Sequence, residues 1–249
     1  MIYCKYSASG NDFIITTAFK SANRSKLAKK LCDRRHGIGA DGMIALLPHN
    51  DYDFTWEFYN ADGSCAAMCG NGARAAALYA YHNALAGTKQ RFLTGAGVIS
   101  AEISAKGIVE AQLTEHKVLR EEVKEFGATW RLIDVGVPHL VTSGRLSIFD
   151  RFPLSELRRK YDANISVYSL RNRALRVRTF ERGVESETLA CGTGMAACFI
   201  AAFDTKKIAT PYIAYPKSGE KVTLSIIDNR VRLKGKVVRL FNAIVGDDL

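Results

Sequence analysis

The sequence predicts an α/β protein of the α+β type, with two pseudo-symmetric lobes that are each a mostly antiparallel sheet wrapped around a buried central helix. Three observations favour this fold. Strand-like segments dominate the chain, two helical segments are apolar on nearly every side, and both of these helices begin with a Cys-Gly-x-Gly sequence. The two copies lie about half a chain apart, which indicates an internal repeat.

Each predicted element follows from its residue pattern. Alternating or β-branched segments predict strands at 12–17, 43–47, 54–59, 98–103, 108–113, 130–135, 175–180, 221–227 and 230–238. Amphipathic or charged segments predict surface helices at 25–35 and 154–161. Ala-rich apolar segments predict buried helices at 72–85 and 194–203. The repeat then predicts a first lobe, 1–115, that carries Cys69 and a second lobe, 116–239, that carries Cys191.

The repeated segments suggest an anion-binding helix start in each lobe. They read Cys69-Gly70-Asn71-Gly72 and Cys191-Gly192-Thr193-Gly194. Glycine lets a ligand approach the backbone closely, and the first helical turn offers free N–H groups and the positive end of the helix dipole. We expect Asn71 and Thr193 to be the N-cap residues, and we expect both cysteines to favour the thiolate.

Two such helix starts on either side of one cleft would suit the inversion of a carbon stereocentre. One thiolate removes the α-proton from one face, and the opposite thiol donates a proton to the other face. The helix ends stabilise the charge that develops on the substrate carboxylate, so no cofactor is needed. Spacing alone leaves the alternative open that each cysteine is merely packed at a small-residue helix start.

Charge and cysteine usage exclude several other classes of protein. Lys and Arg number 35 against 25 Asp and Glu, and the resulting net charge of +10 is scattered along the chain, which is typical of solvated faces. Cys4, Cys32, Cys65 and Cys198 are expected to be small buried residues, and the absence of a Cys-x-x-Cys pair argues against a metal site. No apolar segment approaches the roughly 18 residues of a membrane span, and the start lacks a signal-peptide pattern, so we expect a cytoplasmic protein.

The chain resembles the diaminopimelate epimerase family at segments that span nearly its whole length. In chain order they are 10–13 (Gly-Asn-Asp-Phe), 37–41 (Gly-Ile-Gly-Ala-Asp), 58–64 (Phe-Tyr-Asn-Ala-Asp-Gly-Ser), 68–74 (Met-Cys-Gly-Asn-Gly-Ala-Arg), 138–139 (Pro-His), 181–183 (Glu-Arg-Gly) and 187–194 (Glu-Thr-Leu-Ala-Cys-Gly-Thr-Gly). The resemblance implies a cofactor-independent isomerase that epimerises LL-2,6-diaminopimelate to the meso form, in lysine and peptidoglycan-precursor biosynthesis. It also implies that the C-terminal strand, 240–249, can return to the first lobe.

The resemblance further assigns roles to individual residues. It implies that Cys69 and Cys191 are the catalytic base and acid, and that His139 and Glu181 adjust the pKa values of the two thiols. The positions that match substrate-binding residues of the family are Asn11, Asn60, Gly70, Asn71, Asn164, Glu181, Arg182, Gly192 and Thr193. The expected partners are a small amino-acid substrate and, as the assembly to test, a second copy in a homodimer, with no nucleic acid, membrane, metal or cofactor.

Two departures from the family pattern concern the distal end of the substrate. Val137 stands where the family commonly has Asn, and Gly42 stands where some members have Gln. Val137 motivates a second hypothesis, a racemase of another amino acid on the same scaffold. The positive charge motivates a third, a non-catalytic anion or nucleic-acid binder, which would bind in a salt-sensitive way and be indifferent to Cys69 and Cys191.

Overall fold

The computed structural model describes residues 2–246, which divide into two compact units. The first unit comprises the residues up to Gln112 together with those from Gly235 onward, and the second unit is Leu113–Lys234. Residues 247–249 of the predicted returning segment 240–249 lie outside the described residues, as does residue 1 of the predicted first lobe. In the described part of the chain, no helix is long and apolar enough to cross a membrane.

The first unit is a mixed sheet with two helices. Its strands are β1 (Ile2–Ala8), β2 (Asn11–Thr17), β3 (Gly42–Leu47), β4 (Phe54–Asn60), β5 (Lys89–Thr94), β6 (Gly97–Ser104) and β7 (Ile108–Glu115), the last of which runs on into the second unit. Its helices are α1 (Ser25–Cys32) and α2 (Gly70–His82), and a 3-10 turn, Ala105–Gly107, joins β6 to β7. The pairs β2–β3 and β4–β5 are parallel, whereas β1–β2, β3–β4, β5–β6 and β6–β7 are antiparallel.

The second unit repeats this order of elements. Its strands are β8 (Lys117–Glu125), β9 (Ala128–Asp134), β10 (Pro138–Ser143), β11 (Asn164–Arg171), β12 (Ala174–Glu181), β13 (Ser186–Glu187), β14 (Tyr212–Tyr215) and β15 (Val222–Ile227). Its helices are the 3-10 helix Leu146–Arg151, α3 (Leu154–Tyr161) and α4 (Gly192–Asp204). The parallel pairs are β10–β11 and β12–β14, and each has a helix in the connection between its strands, as parallel neighbours require.

The last strand, β16 (Arg230–Ile244), leaves the second unit and completes the first. It pairs antiparallel with β1 from Ala8↔Val237 to Ile2↔Ile244, with a register shift between Lys5 and Tyr6. The first and last described strands of the chain are therefore neighbours in one sheet.

Both central helices are buried as predicted. In α2 every residue from Gly70 to Ala80 is buried, and in α4 every residue from Gly192 to Ala202 is buried. Alanine dominates both helices because a short side chain lets strands approach a helix from several sides. The predicted fold class, with a sheet around a buried helix in each half, is thereby confirmed.

Several local predictions were wrong. Helix α1 ends at Cys32 rather than 35, because the Asp33 side chain accepts hydrogen bonds from the N–H groups of Arg35 and His36 at 2.7 Å and forms a turn. Cys65 is exposed, whereas Cys4, Cys32 and Cys198 are buried as expected. Strands that the residue pattern did not indicate are β1, β5, β8, β10, β11, β13 and β14. Most residues of β8 are exposed and charged, so that strand carries no apolar alternation.

Candidate active site

Cys69 is the N-cap of α2, which corrects the prediction for Asn71. Its backbone is extended, with φ −150° and ψ 118°, and its Sγ accepts a hydrogen bond from the Gly72 N–H at 3.3 Å. Cys191 caps α4 in the same way, with the Gly194 N–H donating to its Sγ at 3.3 Å, so Thr193 is not a cap either. A sulfur atom thus occupies the position that a Ser or Asp oxygen usually fills, and the N–H bond favours a negative charge on it.

Two asparagines surround the Cys69 thiol, and we call Cys69, Asn11 and Asn71 the Cys69 cluster. The Oδ1 atom of Asn11 lies 3.8 Å from Cys69 Sγ and accepts a hydrogen bond from Asn71 Nδ2 at 3.3 Å. Asn11 starts β2, and Asn71 lies in the first turn of α2. The structure therefore brings together three residues that the sequence predicted for the site.

An ionic network behind Asn11 fixes its side chain. Asp41 Oδ2 accepts a hydrogen bond from Asn11 Nδ2 at 2.6 Å, and Arg34 bridges Asp41 to Asp12 with contacts of 2.8 Å. Lys5 lies 2.9 Å from the other Asp12 oxygen. Burial alone would raise the pKa of Asp12, but the hydrogen bonds from Arg34 and Lys5 hold it below its usual range. The network orients the Asn11 amide so that its oxygen faces the thiol.

Arg74 supports Asn71 from inside the first unit. It is completely buried, and its guanidinium donates to Asn71 Oδ1 at 2.7 Å and to Ser9 Oγ at 3.1 Å. Asn71 is thereby held with its Oδ1 on Arg74 and its Nδ2 toward Asn11. No role for Arg74 or Asp41 was predicted, although a charged residue in the otherwise apolar helix α2 was a visible signal.

The remaining predicted residues of the first unit lie at the end of β4 and at the start of α2. Asn60 ends β4 and donates from Nδ2 to Ser64 Oγ at 3.0 Å, and Gly70 is the first residue of α2. Gly42 pairs with Asn60 between β3 and β4. A Cβ at Gly42 would lie 2.7 Å from a Phe58 ring carbon and 2.8 Å from the Tyr59 oxygen, so this backbone has no room for the Gln found in some family members.

The Cys191 thiol contacts a hydroxyl that leads to a histidine, and we call Cys191, Thr193 and His139 the Cys191 cluster. Thr193 Oγ1 lies 3.4 Å from Cys191 Sγ and 2.9 Å from His139 Nε2. The other ring nitrogen of His139 lies 3.2 Å from Ser166 Oγ. His139 thus reaches the thiol through the Thr193 hydroxyl.

His139 is fully buried, and this decides its charge. Burial, together with the positive charge of Arg182, lowers its pKa to about 3. The ring is therefore neutral near neutral pH, and it acts as a hydrogen-bonding group rather than a cation. A histidine in the unfolded chain binds a proton below about pH 6.5, whereas buried His139 stays neutral down to a pH of about 3. His139 therefore lowers the stability of the folded protein progressively as the pH falls from about 6.5 toward 3.

Asn164 connects the remaining predicted residues of the second unit. Its Oδ1 accepts a hydrogen bond from the Arg182 N–H at 2.9 Å, and its Nδ2 donates to the Pro138 oxygen at 3.2 Å. The Arg182 guanidinium lies 2.8 Å from Asp162, whose side chain is largely exposed. An exposed pair of this kind is weak.

Glu181 ends β12 and accepts a hydrogen bond from the Thr188 hydroxyl. Ser166 and Thr179, whose hydroxyl oxygens are 3.1 Å apart, extend the polar contacts behind His139 and were not predicted. Their signal was a hydroxyl-bearing residue at a buried position of a strand. Among residues 2–246 no group of three or more His, Cys, Asp or Glu side chains is arranged to hold a metal ion.

Each unit thus presents a helix start whose cap is a thiol and whose first turn carries N–H groups suited to a carboxylate.

A family model described as diaminopimelate epimerase matches residues 3–118. The chain is 54% identical over 239 residues to a diaminopimelate epimerase of Nitratiruptor sp., covering 95% of both chains. It is 51% identical over 245 residues to one of Campylobacter jejuni subsp. jejuni, covering 98% of both.

Among solved structures, a probable proline racemase from Agrobacterium radiobacter superimposes with a TM-score of 0.79 at 13% identity, covering 99% of this chain and 93% of the other. The fold and the two cysteine-capped helices therefore define a protein of the racemase-like α/β fold. The near full-length identity to curated relatives defines it further: the chain belongs to the diaminopimelate epimerase family.

Proposed function

We propose that the protein converts LL-2,6-diaminopimelate to meso-2,6-diaminopimelate by proton transfer at one α-carbon, with Cys69 and Cys191 as the two exchanging groups. As a member of its family the protein is an isomerase. The observation that carries the proposal is the cysteine cap of the buried helix in each unit, at positions within a chain 54% identical to a diaminopimelate epimerase.

In the proposed mechanism the two sulfur atoms start in opposite protonation states. The thiolate removes the α-proton, and the thiol protonates the other face of the planar intermediate, after which the roles are reversed for the opposite stereoisomer. The intermediate carries extra negative charge on its carboxylate, which N–H groups of the helix starts at Gly70–Asn71 and Gly192–Thr193 stabilise. The two thiols titrate as a pair, so a pH profile reports the pair and not a single cysteine.

The distal end of the substrate carries a second ammonium and a second carboxylate. We assign the carboxylate to Arg182, whose exposed partner Asp162 it can displace, and the ammonium to Glu181. Asn60 and Asn164 offer amide groups to the same end, and Asn11 and Asn71 offer theirs next to Cys69. Recognition of a second ammonium and a second carboxylate favours a diamino dicarboxylate over a simple amino acid.

The second candidate function is a racemase of another amino acid, and Val137 favours it, because the residue offers no amide to the substrate. A panel of amino acids incubated in deuterium oxide distinguishes the two functions. We expect deuterium to enter the α-position of diaminopimelate at least about a hundredfold faster than that of lysine, glutamate or proline. Faster exchange on any other member of the panel would replace the proposed substrate while leaving the two-thiol chemistry in place.

The hydroxyl of Thr193 is expected to tune Cys191. Replacing Thr193 by valine removes the group that links Cys191 Sγ to neutral His139, so the thiolate loses a hydrogen bond. We expect kcat/KM to fall by about tenfold near neutral pH and its acid limb to move to higher pH.

The matched control is Thr179→Val, which removes a hydroxyl that contacts Ser166 but not the thiol. A full pH profile of kcat/KM for both variants is the measurement. An unchanged acid limb in Thr193→Val would show that the His139 contact serves only packing.

We also propose that the protein works as a homodimer in the cytoplasm, in the synthesis of lysine and of peptidoglycan precursors. Exposed apolar side chains occur on the paired strands β1 and β16, at Ile2, Leu240, Phe241 and Ile244. Such a group on the surface is typical of a contact between subunits. Sedimentation velocity of the wild type and of Phe241→Asp tests the dimer, since the variant is expected to sediment as a monomer.

A further inference from the structure

A cavity lies in the second unit, away from Cys191. Its volume is about 670 Å³, and its lining comes from the C-terminal ends of β10 and β11, the start of β12 and the chain after α4. The residues of the Cys191 cluster and Asn164 lie at the opposite ends of β10, β11 and α4. Helix α4 has 13 residues and therefore separates the two places by about 20 Å.

Four cationic side chains line this cavity, and no Asp or Glu does so within the described residues. The four are Arg145, Arg171, Arg176 and Lys207. Across residues 2–246, none of them forms a salt bridge. Several other arginines of the same unit are paired with carboxylates, among them Arg131, Arg158, Arg178 and Arg182.

The nearby carboxylates are thus already engaged. Asp204, three residues before Lys207, is bound by Arg131, and Asp150 and Glu187 are bound by Arg178. Four like charges around one concave surface repel one another, and a bound anion would relieve that repulsion. These four cations therefore converge on one concave surface whose described lining holds no carboxylate.

One arginine of the cavity stacks on an aromatic ring, and the lining also has an apolar part. Arg176 lies opposite Tyr215 in the β12–β14 pairing, and its guanidinium stacks 5.1 Å from the centre of that ring. This contact orients the arginine before any ligand binds. Leu146, Leu170 and the ring of Tyr168 supply apolar lining between the charges.

We propose that this cavity binds a phosphorylated small molecule that carries at least two negative charges on an aromatic or apolar body. Arginine forks match phosphate oxygens in pairs, which makes a cluster of three arginines and a lysine suited to a polyphosphate chain. The volume falls in the range of ordinary small-molecule sites. The apolar lining is where the body of the ligand packs.

Isothermal titration calorimetry of the full chain tests the proposal. The ligands are ATP, tripolyphosphate and adenosine, in about 150 mM salt to screen surface charge. We expect one ATP per chain, weaker binding of tripolyphosphate and none of adenosine. The double variant Arg145→Gln/Arg171→Gln should weaken ATP binding by about tenfold or more. The matched control, Lys26→Gln/Lys29→Gln on the exposed face of α1, should change it by less than about twofold.

Photo-crosslinking with 8-azido-ATP gives a readout that does not depend on any variant, and the label is expected on peptides that include 143–147 or 168–176. The proposal is overturned by three results: no saturable ATP binding, equal weakening by the two double variants, or labelling elsewhere in the chain. Tighter binding of a single-stranded oligonucleotide that requires the same arginines would also overturn it, because the surface would then bind nucleic acid. Equal affinity for ATP and tripolyphosphate would contradict the assignment of an apolar body.

Discussion

Replacing Cys69 or Cys191 by alanine is expected to lower kcat for diaminopimelate epimerisation by about 10³-fold or more while the protein remains folded. Each sulfur would be the sole proton carrier on its face of the α-carbon, and alanine leaves none. The Sγ atom also accepts the N–H of Gly72 or Gly194, so a small loss of stability accompanies the loss of activity. Steady-state assays and circular dichroism of both variants are the measurements.

The matched control is Cys65→Ala, since Cys65 is exposed and precedes α2 by only a few residues. This variant should keep full activity. In deuterium oxide, each active-site variant retains one thiol and should exchange the α-proton of one stereoisomer without inverting it. Substantial epimerisation by either alanine variant would end the two-thiol mechanism.

Adding one methyl group at Gly194 is expected to destabilise the protein, whereas the equivalent change at Gly72 is not. A Cβ at Gly194 would lie 2.5 Å from Thr179 Oγ1 and 3.2 Å from both Cys191 Cβ and Ser166 Oγ. At Gly72 the closest atoms, Cys69 Cβ and Ile44 Cδ1, are 3.3 Å away. We expect Gly194→Ala to cost about 1–3 kcal/mol of unfolding free energy, and Gly72→Ala to stay within about 1 kcal/mol of the wild type, because alanine favours the helix.

Urea unfolding of the two variants provides the comparison. The double variant Gly194→Ala/Thr179→Ala should recover part of the loss, since it removes the hydroxyl that the new methyl group meets. Equal stability of Gly194→Ala and Gly72→Ala would show that the first turn of α4 adjusts without strain.

Local sequence patterns were sufficient to predict the two buried helices and the segments at which they begin. Alanine-rich apolar segments indicated α2 and α4, and the repeated Cys-Gly-x-Gly indicated where both helices begin. The N-caps were predicted wrongly because residue preferences favour Asn and Thr over Cys at that position. The extended backbone of Cys69 and Cys191, with sulfur as acceptor, became visible only in three dimensions.

Contacts between distant residues could not be predicted in the same way. Asp41 orients Asn11 across 30 residues, and His139 on β10 meets Thr193 on helix α4 across 54, and local sequence patterns do not show either contact. Strands β10 and β11, which hold His139 and Asn164, were themselves missed. Sequence therefore indicated which residues bear the chemistry, and the sheet register determined what orients them.

The return of β16 to β1 has a consequence for how the polypeptide is made. Ribosomes synthesise the chain from its N-terminus, and the partner of β1, from Val237 to Ile244, is made long after β1 itself. Until then β1 lies at an open sheet edge, where it can pair with other nascent chains. A gene truncated before residue 235 would encode a first unit that lacks its closing strand, so mutations that stop translation late are expected to yield aggregates instead of a smaller working protein.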